Sequence, residues 1–237
     1  MEKLPNNILN YIKNYMRTLI NLIVVILPWF LKKKILRTFY KYQIHDNAHI
    51  GLSYIFPKKL VMEEGASIGH FNTAIHLDYI FLGKNATIAR NNWITGFPTG
   101  TTSKHFSHQK DRKSELILGD ESAITKKHHL DCTNSITIGK YTTIAGYNSQ
   151  FLTHSIDIYE GRQNSKPISI GDYCFVSTSV IILGGASLPS YSVLAAGGVL
   201  NKSHNENYTL YAGVPAKPIK TLPQEAKYFN RENGFIY

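Results

Sequence analysis

Residues 136–200 read ITIGKYTTIAGYNSQFLTHSIDIYEGRQNSKPISIGDYCFVSTSVIILGGASLPSYSVLAAGGVL, and an aliphatic residue returns at every sixth position over long runs of this stretch. Ile138, Ile144, Ile170, Val176, Ile182, Leu188 and Leu194 hold the register. Upstream it includes Leu82, Ile88, Ile94, Leu118, Ile124 and Leu130. A small residue often follows, as in Gly83, Ala89, Gly119, Gly139, Ala145, Gly171 and Ser177. A period of six matches neither the helical 3.6 nor the alternation of a simple strand. It fits a chain that turns a corner every six residues and closes a three-sided coil every eighteen. One such coil cannot bury its own inward side chains, so coils must stack into a continuous core. An ordinary β-sandwich would instead place turn signals about every 8–12 residues. The pairs Gly83-Lys84, Gly119-Asp120, Gly139-Lys140 and Gly171-Asp172 are expected at corners because such residues suit turn backbones.

Two polar stretches break the sixes. Residues 97–115 (FPTGTTSKHFSHQKDRKSE) hold Lys104, His105, His108, Lys110, Arg112 and Lys113. Residues 155–165 (SIDIYEGRQNS) follow directly on Thr153-His154. Loops that leave a regular wall are the natural place to build a pocket. The first loop suits either a phosphate-bearing ligand or plain solvation, and charge alone does not choose.

The chain has 237 residues, 18% charged residues and 12% aromatic residues, which excludes a disordered polymer. Cys132 and Cys174 show no metal-ligand spacing and are expected as free buried thiols. The net charge of +10 is uneven, because residues 1–45 carry eight Lys and Arg against Glu2 alone. These charges flank an apolar run instead of interleaving with aromatics, so an anionic membrane surface is favoured over nucleic acid. That run, residues 19–31 (LINLIVVILPWFL), is thirteen long and ends at Lys32-Lys33-Lys34. A bilayer span needs about 20 apolar residues, and no small-residue cleavage site follows as in a signal peptide. Ile8, Ile12, Tyr15, Leu19 and Ile20 recur at helical spacing, widened by Tyr11 and Met16, with Lys13 and Arg17 off the stripe. The favoured reading of residues 8–41 is a peripheral helical segment dipping into one leaflet with its lysines at the headgroups. The alternative is a helix packed on its own domain or on a neighbouring copy. The expected organisation is a helical segment over 1–45, a repeat domain over 46–220 and a tail over 221–237.

These features together resemble the hexapeptide-repeat acyltransferases, over about residues 48–220. The likeness is strongest to the maltose, galactoside and xenobiotic acetyltransferase branch and to enzymes of surface-polysaccharide assembly. His154-Ser155-Ile156-Asp157 is similar to the family's catalytic turn, with Ser155 where Pro is common. Residues 212–220 (AGVPAKPIK) are similar to its ending. The resemblance implies an all-β fold, a left-handed parallel β-helix of hexapeptide repeats with an N-terminal helical segment, assembled as a homotrimer. It also implies acetyl-CoA as donor and a sugar or lipid-linked saccharide as acceptor, while the N-terminal segment would hold the chain at the cytoplasmic, inner face of the cell membrane. His154 would be the general base, at a cleft between subunits. Histidine suits that role, since its ordinary pKa of about 6.5 lies near working pH.

Asp157 is expected to orient the imidazole or touch the acceptor, or else to cap a turn. His129 and Asp131, one coil earlier, are expected to line the acceptor pocket. Thr178, Ala196 and Asn201 match cofactor-contacting positions, and Lys217 and Lys220 match basic positions near its phosphates. No metal is expected. The related γ-class carbonic anhydrases hold zinc with three histidines, but the spacing of His70 and His76, and of His105 and His108, does not match theirs. N-acetylation of an amino sugar, or a non-catalytic scaffold, remains open at this level.

Overall fold

The period of six is a period of corners. The computed structural model describes residues 6–236, and the side chains of the first helix from residue 15 onward. Its strands form three long sheets of seven, nine and seven strands, the three faces of a parallel β-helix. One turn comprises Tyr79–Leu82, Thr87–Arg90 and Trp93–Gly96, and the next comprises Glu115–Leu118, Ala123–Lys126 and His129–Cys132. Leu118 stacks on Leu82, Ile124 on Ile88 and Leu130 on Ile94, all with 0% of their surface exposed. The first strand, Gln43–Ile44, begins slightly before the expected boundary at 46. Some steps are longer than six: Leu130 to Ile138 takes eight residues and Ile144 to Phe151 takes seven. The far end closes with a hairpin, Lys217–Thr221 running antiparallel to Thr209–Ala212.

The corner glycines answer a steric demand and not a left-handed turn. Gly83 and Gly119 are not at positive φ. A Cβ on Gly119 would stand 2.7 Å from the Lys140 backbone nitrogen on the next coil. The small residue therefore lets two coils approach. The left-handed positions at this corner go to Asn85, Glu121, Tyr141, Tyr173, Tyr191 and Tyr208, with φ of 52–59°. The four tyrosines form a ladder with ring centroids 4.6, 5.3 and 4.7 Å apart. The tail packs along this edge instead of trailing free. Arg231 lies over the Tyr141 and Tyr173 rings, and the Tyr228 hydroxyl donates to the Cys174 carbonyl at 2.8 Å.

At the second corner a buried polar column satisfies the backbone. The amides of Asn72, Asn92, His128 and Ser149 donate in turn to Ser53 Oγ, Asn72 Oδ1, Asn92 Oδ1 and His128 Nδ1, at 2.9–3.2 Å. Burial pushes the His128 pKa down to about 4, so its ring stays neutral and keeps the lone pair this column uses.

Two helices cover the open start of the coil, α1 (Asn6–Ile26) and α2 (Trp29–Thr38), with Pro28 breaking the helix between them. Val24 and Leu36 join the core from them. Lys32, expected at lipid headgroups, is instead 2% exposed and donates from Nζ to the Gly51 and Val25 carbonyls at 2.6 and 3.2 Å. Burial lowers its pKa to about 8. Lys34 remains exposed. The side chains of Ile8, Tyr11, Ile12 and Lys13 lie outside the described residues. Tyr15, Met16, Leu19 and Ile20, from the same stripe, are exposed. Among the described residues no helix is long and apolar enough to cross a membrane.

The stacked core predicts a graded response in denaturant titrations. Ile124→Ala should lower the unfolding free energy by about 2–5 kcal/mol. Gly119→Ala should also destabilise, through the coil contact just described. Thr137→Ala, on an exposed outward position, should stay within about 0.5 kcal/mol of the parent.

Candidate functional site

Both interruptions of the repeat leave the coil at the same corner, where the third face turns back to the first. The strand Gln150–Leu152 ends there, and His154 opens a hairpin of His154–Asp157 paired antiparallel with Arg162–Ser165. Thr153 anchors the exit. Its hydroxyl donates to the Asp131 carbonyl at 2.7 Å and accepts from the Asn134 amide at 2.8 Å.

Asp131 lies one coil before, in register with Leu152 on the outward side of the third face. It is only 4% exposed, because the loop and hairpin cover it. Thr133 donates to its Oδ1 from both backbone nitrogen and hydroxyl, at 3.1 and 2.7 Å. Its Oδ2 receives the His154 amide at 3.3 Å and a very short contact from His154 Nδ1. Burial opposes ionisation of Asp131, but the hydrogen bonds from His154 and Thr133 outweigh it and hold the carboxyl below its ordinary pKa. An ionised carboxylate only accepts, so Nδ1 carries the proton and Nε2 keeps a lone pair. The Asp131 hydrogen bond raises the His154 pKa against the desolvation that would lower it. The imidazole is 45% exposed. The ring is held from behind by a buried carboxylate and is open in front.

The loop of residues 97–115 supplies the surroundings. Phe106, 6% exposed, sets its ring edge-on to His154 at 6.1 Å between centroids. Arg112 braces the loop: its guanidinium lies over Phe106 at 4.9 Å and donates to the carbonyls of Phe97, Pro98 and Thr133. Gln109 clasps loop to hairpin, donating to Asn164 Oδ1 and the Ser165 carbonyl at 2.9 and 2.8 Å. Between them lies a recess of about 280 Å³ lined by Lys104, His105, Phe106, His108, Ile156 and Arg162.

Of the two aspartates, Asp131 and not Asp157 meets the imidazole. Asp157 accepts the Tyr159 and Glu160 amides at 3.1 and 3.2 Å, so it caps the hairpin turn. Asp131, expected among acceptor contacts, orients the imidazole. His129 is half-buried two residues before Asp131 on the same outward side, flanked in register by Trp93 and Gln150. Asn201 is at the His154 corner, just after Val199–Leu200. Thr178 and Ala196 lie at the other edge of the third face, where the second face turns into it. The Thr178 hydroxyl is bonded to the Tyr147 backbone at 3.0 Å. Lys217 and Lys220 are exposed on the closing hairpin. One copy therefore does not gather these residues around His154. Sequence reasoning missed the placement of Phe106, Arg112 and Gln109, since nothing in a polar loop says which side chains turn inward. Asp131 was within reach, because counting outward positions from Leu130 puts it beside the coil that ends in His154. Among the described residues no three His, Cys, Asp or Glu side chains converge on a metal position. His70 and His76 lie at opposite edges of the third face.

No family model matches the chain. A Schizosaccharomyces pombe protein named as an acetyltransferase is 37% identical over 95 residues, 38% of this chain and 45% of its own length. The match thus spans less than half of that relative. Solved structures of similar form include acetyltransferases. The hexapeptide-repeat containing acetyltransferase VCA0836 from Vibrio cholerae shares 30% identity, with 46% of this chain and 63% of that chain covered and a TM-score of 0.43. The polySia-specific acetyltransferase NeuO shares 20% identity, with 76% and 80% covered and a TM-score of 0.52, a likeness of fold.

The histidine–carboxylate pair predicts a titration. Followed by NMR, His154 should titrate above the ordinary histidine value of about 6.5. Asp131→Asn removes the anion that favours the imidazolium, so the midpoint should fall. An unchanged midpoint would mean the contact carries no charge coupling.

Proposed function

We propose that this chain is an acyltransferase that moves an acetyl group from acetyl-CoA to a sugar hydroxyl, with His154 as general base. The observation that carries this reading is the geometry of His154: Nδ1 held by buried Asp131, an imidazole 45% exposed, and Phe106 of the neighbouring loop edge-on to its ring. In the reaction, Nε2 takes the proton of the acceptor hydroxyl as its oxygen attacks the thioester carbonyl. The tetrahedral intermediate then collapses, the C–S bond breaks, and the thiolate leaves with the proton returned from Nε2. Asp131 stabilises the imidazolium between these steps and fixes the tautomer that starts them. No covalent enzyme intermediate is needed. The same lone pair would serve an amine, and the acceptor panel below separates the two chemistries.

The site is completed in a homotrimer. Thr178 and Ala196 sit across the third face from His154, which supports a cleft in which the donor lies along one copy and the base comes from its neighbour. The acceptor is a saccharide, free or lipid-linked, handled during surface-polysaccharide or glycolipid assembly.

The helices support a peripheral membrane contact. Leu19, Ile23, Ile26 and Phe30 are exposed, Ile26 at 72% and Phe30 at 69%. Exposed Arg17 and Lys34 accompany them. Apolar side chains beside cations suit a leaflet of anionic lipid, as on the cytoplasmic face of a cell membrane.

Two measurements test these readings. With acetyl-CoA and a panel of sugar and amino-sugar acceptors, His154→Ala should lose about 10²–10⁴-fold in rate. The wild-type rate should fall on the acid side as His154 protonates, and Asp131→Asn should move that limb to lower pH. Full activity of His154→Ala on the best acceptor would remove it as the base. The full chain should sediment with phosphatidylserine vesicles and lose this on Ile23→Ser/Ile26→Ser/Phe30→Ser. Equal sedimentation of both forms would sink the membrane contact.

A further inference from the structure

The edge where the second face turns into the third carries three cations that no ion pair among the described residues neutralises. Arg90 and Lys126 end the strands Thr87–Arg90 and Ala123–Lys126 and are register partners on adjacent coils. Lys127 follows at the corner, with φ of 56°. All three side chains are exposed, and among the described residues none takes part in an ion pair or a side-chain hydrogen bond. Parallel neighbours stand about 4.8 Å apart, and like charges directly opposite one another destabilise a sheet. At the first corner the chain avoids this, pairing Lys140 with Asp120 at 2.8 Å and Lys84 with Glu64 at 3.9 Å across coils. The second corner keeps its repulsion.

Two aromatic rings bracket these cations along the same edge. Phe71, from the coil before, is 66% exposed, and Tyr147, from the coil after, is 50% exposed. With Arg90, Asn91, Lys126 and Lys127 they line a recess of about 520 Å³. A second recess, of about 620 Å³, shares Arg90 and Lys126 and has Gly69, Ala89 and Gly146 in its lining, where the backbone is bare. Exposed rings offer apolar surface to the C–H faces of a sugar, and unpaired cations form charge-assisted bonds to carboxylate or phosphate.

We propose that this edge binds an anionic saccharide, its acid groups on Arg90, Lys126 and Lys127 and its rings against Phe71 and Tyr147. The proposal deepens the acyltransferase reading and rests on it for the role of the bound sugar, the acceptor. The coil that ends in His154 has Tyr147 at its second corner. Arg90 and Lys126 lie two coils and one coil before that level, while Thr178 and Ala196 lie one and two coils after it. Donor and acceptor anions thus have opposite sides of the level at which the base works. In the trimer, this edge of one copy meets the His154 corner of the next.

The test is binding to the full chain without donor, measured by calorimetry. A galacturonic acid trimer is compared with the neutral galactose trimer, and glucose 1-phosphate with glucose, to tell carboxylate from phosphate. At least one anionic member should bind about tenfold or more tighter than its neutral partner and weaken with salt. Arg90→Ala/Lys126→Ala should abolish that preference, while Arg90→Lys/Lys126→Arg keeps it. The alanine variant should have an equal or higher thermal midpoint, because a repulsion is relieved. No preference in the wild type, or a preference surviving in the alanine variant, overturns the proposal. Weakened binding of CoA, with saccharide binding unaffected, would assign the cations to the donor and also overturn it. Loss of acetyl transfer with saccharide binding intact would count against the acyltransferase reading alone.

Discussion

Leu82, Leu118, Ile138, Ile170 and Leu188 form one continuous stack up the inside of the coil, each buried by the residue above and below. A six-residue side has no partner within its own turn, so its inward side chain leaves water only when another coil covers it. The coils are therefore stable together or not at all. The two ends need covers, which the helices and the closing hairpin supply. The same packing sets the spacing of everything on the outside, and residues far apart in sequence stand one coil apart in space.

That spacing builds the candidate site. Asp131 and His154 meet because they lie on adjacent coils at the corner where the chain twice departs from the wall. The departing segments bury the carboxylate while leaving half of the imidazole open. Burial and exposure so close together separate the two titrations: a carboxyl held ionised by its donors, and an imidazole made more basic by its carboxylate. The rest of the loop architecture, Arg112 beneath Phe106 and Gln109 across to the hairpin, holds that arrangement without contacting the imidazole.

The corners illustrate how one geometric demand meets different chemistry. From the second coil onward a left-handed residue stands at the first corner. From Tyr141 onward tyrosines fill it, and their stacking offsets the conformational cost. At the second corner a buried column of Asn and His side chains takes up the amides. Its outer rim carries instead an unneutralised set of cations, a departure from local consistency that the first corner does not share.

The sequence alone determined the architecture, because a six-residue hydrophobic period has one packing solution and its inward residues can be named by counting. It also marked His154, since a break in a strict repeat is visible without coordinates. It did not show why Gly119 is small, since the cause is a backbone on the next coil. Nor did it show that Lys32 turns inward to bond Gly51 instead of facing outward. Sequence adjacency favoured Asp157 as the partner of the imidazole; counting outward positions puts Asp131 on the coil before His154, but only the stacking of coils shows that its carboxylate reaches the ring. Periodicity encodes which side chains point inward. What stands beside a given residue depends on the lengths of the excursions between coils, and the tertiary structure alone decides that.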